Sequence, residues 1–76
     1  MRKIENQDPR TISLDGGDLY AKRRAYSFAV AMTQRARYNR EKALELIQDN
    51  PSESKALKVL AQAFILQGRL DDWFIG

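Results

Sequence analysis

Apolar residues recur at three- and four-residue steps over most of this chain and alternate at two-residue steps in one short stretch near its start. Asp15-Gly16-Gly17-Asp18 is a turn signal, and Asp18 is placed to cap a helix beginning at Leu19 and running to about Tyr38. Ala21, Ala25, Phe28, Ala29, Met32 and Ala36 fall on one face of that helix, and Tyr26 and Val30 widen the stripe. Lys22, Arg23, Gln34 and Arg37 fall largely on the other side. A second helix is expected from Arg40 to Gln48, with Ala43, Leu44, Leu46 and Ile47 as its apolar positions. Asn39 serves either as its cap or as a break. Neither Pro nor Gly occurs between Leu19 and Gln48, so one continuous helix is the competing reading. Asn50-Pro51-Ser52-Glu53 combines a capping Asn, Pro at the first helical position and Glu at the third, and predicts that a third helix starts there. Ala56, Leu57, Leu60, Ala63 and Phe64 form its core face, Val59, Ile65 and Leu66 make it apolar nearly all round, and Gly68 ends it.

The flanks read differently. Residues 1–18 are too polar to fold alone and are expected as an extended arm, in which Thr11-Ile12-Ser13-Leu14 would form a short strand if a partner supplied an edge. Residues 71–76 mix two acids with Trp73, Phe74 and Ile75 and either fold back over the helices or dock on a partner. The expected fold is therefore all-α: two or three helices packed as a small helical domain over 19–70, with the arm before it and the apolar, acidic tail behind.

Composition sharpens this picture. With 76 residues, 43% of them hydrophobic, one modest core is expected. Domains of this size bury only about 60% of their unfolded surface, and disulfides, metals or a partner often supply the missing stability. The sequence has no Cys and no His, which excludes disulfides and thiolate or imidazole metal ligands and leaves a partner as the remaining staple. Residues 1–10 contain no apolar stretch of the kind a secretory signal requires, and no run approaches the roughly 18 apolar residues of a membrane span. A cytoplasmic protein without membrane contact is expected. The net charge is only +3, but Leu19 to Lys42 carries Lys22, Arg23, Arg24, Arg35, Arg37, Arg40 and Lys42 against the single acid Glu41. Such a segment suits nucleic acid, an acidic protein surface, or simply the solvated side of an amphipathic helix.

Catalytic chemistry finds little to work with. Only scattered carboxylates and lysines are available for acid–base work, and Asp71 and Asp72, adjacent in sequence, point apart in a helix or strand. Phosphate-cradling glycine loops and nucleophile elbows have no counterpart. A non-enzyme without catalytic residues, cofactor or metal is expected. Arginines interleaved with Tyr20, Tyr26 and Tyr38 could neutralise phosphates and stack on bases, although neither helix junction has the glycine of a typical helix-turn-helix. Lys42-Ala43-Leu44-Glu45-Leu46, Asn50-Pro51, Leu60-Ala61 and Gln67-Gly68-Arg69-Leu70-Asp71-Asp72 look like the junction of two tetratricopeptide repeats. That likeness covers barely one unit, whereas a solenoid needs about three.

A further likeness starts from Tyr26, followed nine to eleven residues later by Arg35-Ala36-Arg37 on a helix with apolar residues between, and from Lys55-Ala56-Leu57-Lys58-Val59-Leu60-Ala61 after the Asn50-Pro51 turn. Over about residues 23–68 this resembles the omega subunit of bacterial-type RNA polymerase. The departures are Arg24-Ala25-Tyr26 where arginine usually abuts the aromatic, Met32-Thr33 where two alanines are common, Ala56 where many members have Pro, and Ala63-Phe64 in place of a Glu-Ile pair. The resemblance implies a helical accessory subunit that clasps the largest catalytic subunit and assists its assembly. In that role Arg35 and Arg37 would meet acidic or carbonyl groups of the partner, and Tyr26 with Val30 would pack the helix. The partner-binding set expected on all grounds is Arg23, Arg24, Tyr26, Arg35, Arg37, Trp73 and Phe74, with nucleic acid as an indirect partner. The alternatives are a small helical protein-binding adaptor or phage-type regulator with tetratricopeptide-like helices, and behind it a non-sequence-specific nucleic-acid-binding protein.

Overall fold

The structure, a computed structural model, describes residues 6–14 and 18–70. Three helices follow one another: α1 (Leu19–Arg35), α2 (Arg40–Asp49) and α3 (Lys55–Leu66). They form a compact all-α domain, and no strand occurs among the described residues.

Each helix begins where a short polar side chain accepts a hydrogen bond from the first turn. Asp18 accepts from the Ala21 amide, Asn39 from Lys42 and Ser54 from Leu57. Asn39 thus settles the first junction as a real break: α1 stops at Arg35, short of the expected Tyr38, and α2 runs one residue beyond Gln48. The start of α3 lies four residues later than expected. Asn50 does accept amide hydrogen bonds, from Ser52 at 2.8 Å and Glu53 at 3.0 Å, but the turn it organises is not helical. Ser54 provides the true cap, because helical hydrogen bonding begins only after it.

The helices run up, down and up. Arg40 at the start of α2 donates to the Leu66 carbonyl at the end of α3 at 3.3 Å, while Lys58 and Gln62 of α3 bond the backbone and side chain of Gln48 near the end of α2. α2 and α3 are therefore antiparallel. Tyr26 meets Phe64 edge-on with ring centroids 5.6 Å apart, and Ala21 shares a cleft with Leu57 and Leu60, so α1 and α3 lie side by side in the same direction. Five fully buried alanines (Ala25, Ala29, Ala43, Ala61 and Ala63) keep the backbones close, and Phe64, Leu14 and Ile47 are the largest side chains completely enclosed.

Leu14 belongs to the segment expected as a free arm. Residues 6–14 instead pack on the domain, with Ile12 and Leu14 buried in its core. Asp8 organises a tight turn, its carbonyl accepting from the Thr11 and Ile12 amides, and the Gln67 side-chain amide donates to the carbonyls of Pro9 (3.1 Å) and Ile12 (2.7 Å). The two-residue alternation at 11–14 was a sound sign of one buried face, but that face meets the chain's own helices rather than a partner's edge.

Lys22 also departs from expectation. It lies in the series 22, 25, 29, 32, 36, whose other members are all buried, and is itself only 8% exposed. Its charge suggests the outer face, but its spacing puts the aliphatic stem on the inner one. Val30, conversely, is half-exposed and lies outside the core cluster.

Candidate functional site

The expected partner-binding residues separate into three groups. Tyr26 is half-buried and engaged with Phe64, which makes it part of the domain's own packing. Trp73 and Phe74 lie outside the described residues. Arg23, Arg24, Arg35 and Arg37 are exposed. Of these, Arg24 reaches Glu53 in the loop between α2 and α3 at 3.7 Å, a solvated pair worth little on its own. Arg23, Arg35 and Arg37 make no hydrogen bond or ion pair through their side chains among the described residues.

Two features accompany these cations. Near the start of α1, Leu19 and Tyr20 are exposed, Tyr20 by 73%, beside a cleft of about 400 Å³ floored by Ala21, Ala56, Leu57 and Leu60 and flanked by Arg24. At the far end of α1 lies Tyr38, which is 77% exposed and absent from the expected site set. The signal that could have found it was present, since Tyr38 stands between Arg37 and Arg40 in a segment already recognised as basic.

The backbone that carries Tyr38 is unusual. Ala36 ends α1, the Arg37 amide bonds back to the Gln34 carbonyl, and the Tyr38 amide to that of Thr33 at 2.9 Å. This is a Schellman closure, and it needs a left-handed residue at the position Arg37 occupies. Arg37 has φ 53° and Tyr38 φ 66°, the only non-glycine residues with positive φ among the described residues. α3 ends in the same way: the Gly68 amide bonds to Ile65 and the Arg69 amide to Phe64, with Gly68 at φ 66°. The chain thus uses one motif twice, with glycine at one copy and arginine at the other. A side chain costs about 1–2 kcal/mol in that conformation.

The same end of the domain gathers further cations. Arg40 begins α2 and holds the carbonyl end of α3, and Arg69 follows three residues after that carbonyl. Arg35, Arg37 and Arg40 have one acid near them in sequence, Glu41 in the first turn of α2. Arginines at helix C-termini are favoured by the helix dipole, so the cluster is tolerated where it stands. The opposite end, around Asp18, Arg24, Asp49, Glu53 and Lys55, carries both signs.

Arg35-Ala36-Arg37, which the polymerase-subunit likeness places on one core helix, straddles the end of α1 here. Among the described residues no group of three or more acids is placed to hold a metal. No helix among the described residues is long and apolar enough to cross a membrane. Comparison with known proteins finds no family model, no curated protein and no solved structure that matches this chain.

Proposed function

We propose that this chain is a small accessory protein that docks on a larger protein through α1, using the exposed Leu19 and Tyr20 for apolar contact and the outward arginines for carboxylates or carbonyls. The observation that supports this reading is the idleness of Arg23, Arg35 and Arg37. Three exposed guanidiniums along one helix and its cap have no partner among the described residues, while no buried side-chain polar atom there lacks one. Guanidinium forks suit paired hydrogen bonds to carboxylates.

The apolar share of such an interface falls on Leu19 and Tyr20 because Met32 is committed to the core and Phe28 half-buried against it. The narrower form of the proposal is an omega-like subunit of RNA polymerase, with Arg35 and Arg37 also facing the catalytic subunit. The test is purification of the tagged chain from its native cells in high salt, followed by mass spectrometry. One large protein recovered in stoichiometric amount supports docking, and the large polymerase subunits support the narrower form. Recovery of nothing at any salt concentration rejects both.

A further inference from the structure

The arginine at position 37 calls for an explanation that the fold does not supply. The closure at the end of α3 shows what the backbone prefers there, which is glycine, and a Cβ added at Gly68 would meet nothing within 4 Å. The motif itself therefore has room for a side chain and no use for one. Arg37 contributes no hydrogen bond or ion pair through its side chain to the described residues, and Tyr38 beside it leaves most of its ring in water. Strained backbone that displays unpaired side chains is the pattern of a site held ready for something outside the chain.

We propose that the α1–α2 turn binds single-stranded nucleic acid, Tyr38 stacking on a base while Arg35 and Arg37 contact the flanking phosphates and Arg40 supports them from the start of α2. The chemistry favours this ligand over an acidic peptide. A row of carboxylates would be served by arginines alone and gives no role to an exposed aromatic ring between them. A single strand offers both an anionic backbone and unstacked bases with free π-faces. A duplex offers the backbone and base edges but no free π-face, since its bases are already stacked. This function goes beyond protein docking: it takes Arg35 and Arg37 away from a protein partner and leaves Leu19, Tyr20 and Arg23 to docking.

The experiment uses the full chain and a fluorescent oligothymidylate of about twelve nucleotides, with binding followed by anisotropy over a range of salt concentrations. Wild type should bind at low salt, more tightly than it binds a duplex of the same length, and its log affinity should fall linearly with log salt. Tyr38→Ala should weaken binding roughly tenfold, the effect of one lost stacking contact. Arg37→Gly should reduce the salt slope by about 0.7, the share of one phosphate on a single strand. Because glycine suits that backbone, a loss of binding in Arg37→Gly is not a loss of folding. Lys55→Gln, at the opposite end of the domain, should leave the slope unchanged. The proposal is overturned by any of three results: no binding at low salt, affinity and slope both indifferent to Tyr38→Ala and Arg37→Gly, or equal or tighter binding of a polyglutamate peptide.

Discussion

Replacing Arg37 with glycine should make the protein more stable although it removes a charged side chain from the surface. The magnitude follows from the backbone. Arg37 sits at φ 53° in a closure whose counterpart is occupied by Gly68 at φ 66°. Relief of the left-handed conformation is worth about 1–2 kcal/mol, against which glycine's greater freedom in the unfolded chain takes back roughly 0.5–1 kcal/mol. At the central values a net gain of about 0.75 kcal/mol remains, and in a domain of this size it raises the melting temperature by roughly 3–6 °C. Charge enters with two signs, since the cation relieves the helix dipole yet repels Arg35 and Arg40. Chemical denaturation followed by circular dichroism in about 1 M salt, where the Debye length is only about 3 Å, removes most of both effects. The reciprocal variant, Gly68→Ala, has open space for its methyl and should lose about 1 kcal/mol for conformational reasons alone. If Arg37→Gly proves neutral or destabilising under these conditions while Gly68→Ala behaves as expected, the equivalence of the two closures is wrong.

Three further outcomes are expected. Leu14→Ala, which empties a site only 1% exposed, should cost about 2–5 kcal/mol and lower the denaturation midpoint of the whole domain, whereas a dispensable arm would leave it unmoved. Ser54→Ala should cost about 1 kcal/mol by removing the cap of α3; Asn50→Ala should leave the helical ellipticity unchanged, since Asn50 organises the loop and not the helix, and a drop in ellipticity would restore the earlier helix start. The Arg10 amide, which donates to the Asp8 carboxylate, holds the Asp8 pKa below its ordinary value despite some desolvation, and the Arg10 guanidinium at 3.3 Å adds to the effect. A lowered folded-state pKa gives stability that is present above the ordinary aspartate range and lost as pH falls through the folded-state value. An NMR titration should therefore place the Asp8 midpoint below that of an unstructured peptide, and an equal midpoint would remove Asp8 from the acid response.

The sequence carried the all-α class, the cap at Asp18 and the stop at Gly68, because each rests on local hydrogen-bond chemistry that a few adjacent residues determine; it left the count at two or three helices and Asn39 as either cap or break, which the structure resolves as a cap. It misled where two such signals overlapped. Asn50 and Ser54 both offer an oxygen to amides two or three residues ahead, and only the geometry of the intervening turn decides which one opens a helix. It misled again where residue type and spacing disagreed. Lys22 has the position of a core residue and the charge of a surface one, and packing resolved the conflict in favour of position because a long aliphatic stem can serve both. Ile12 and Leu14 were legible as a buried face but not as part of this core, since their hold comes from Gln67, far along the chain. The candidate site was half visible: the arginines were evident by type, but the significance of Arg37 emerges only from comparing its φ with that of Gly68.

The Gln67 clasp sets an order of events during synthesis. Its partners Pro9 and Ile12 precede it by 58 and 55 positions. A ribosome adding about 5–20 residues per second releases them roughly 3–12 s before Gln67 itself emerges. Until α3 follows them, Ile12 and Leu14 have neither that helix to rest on nor the amide that fastens their segment. Anything that grips this segment on the nascent chain competes with a native contact that does not yet exist, and it is displaced only when the end of α3 arrives.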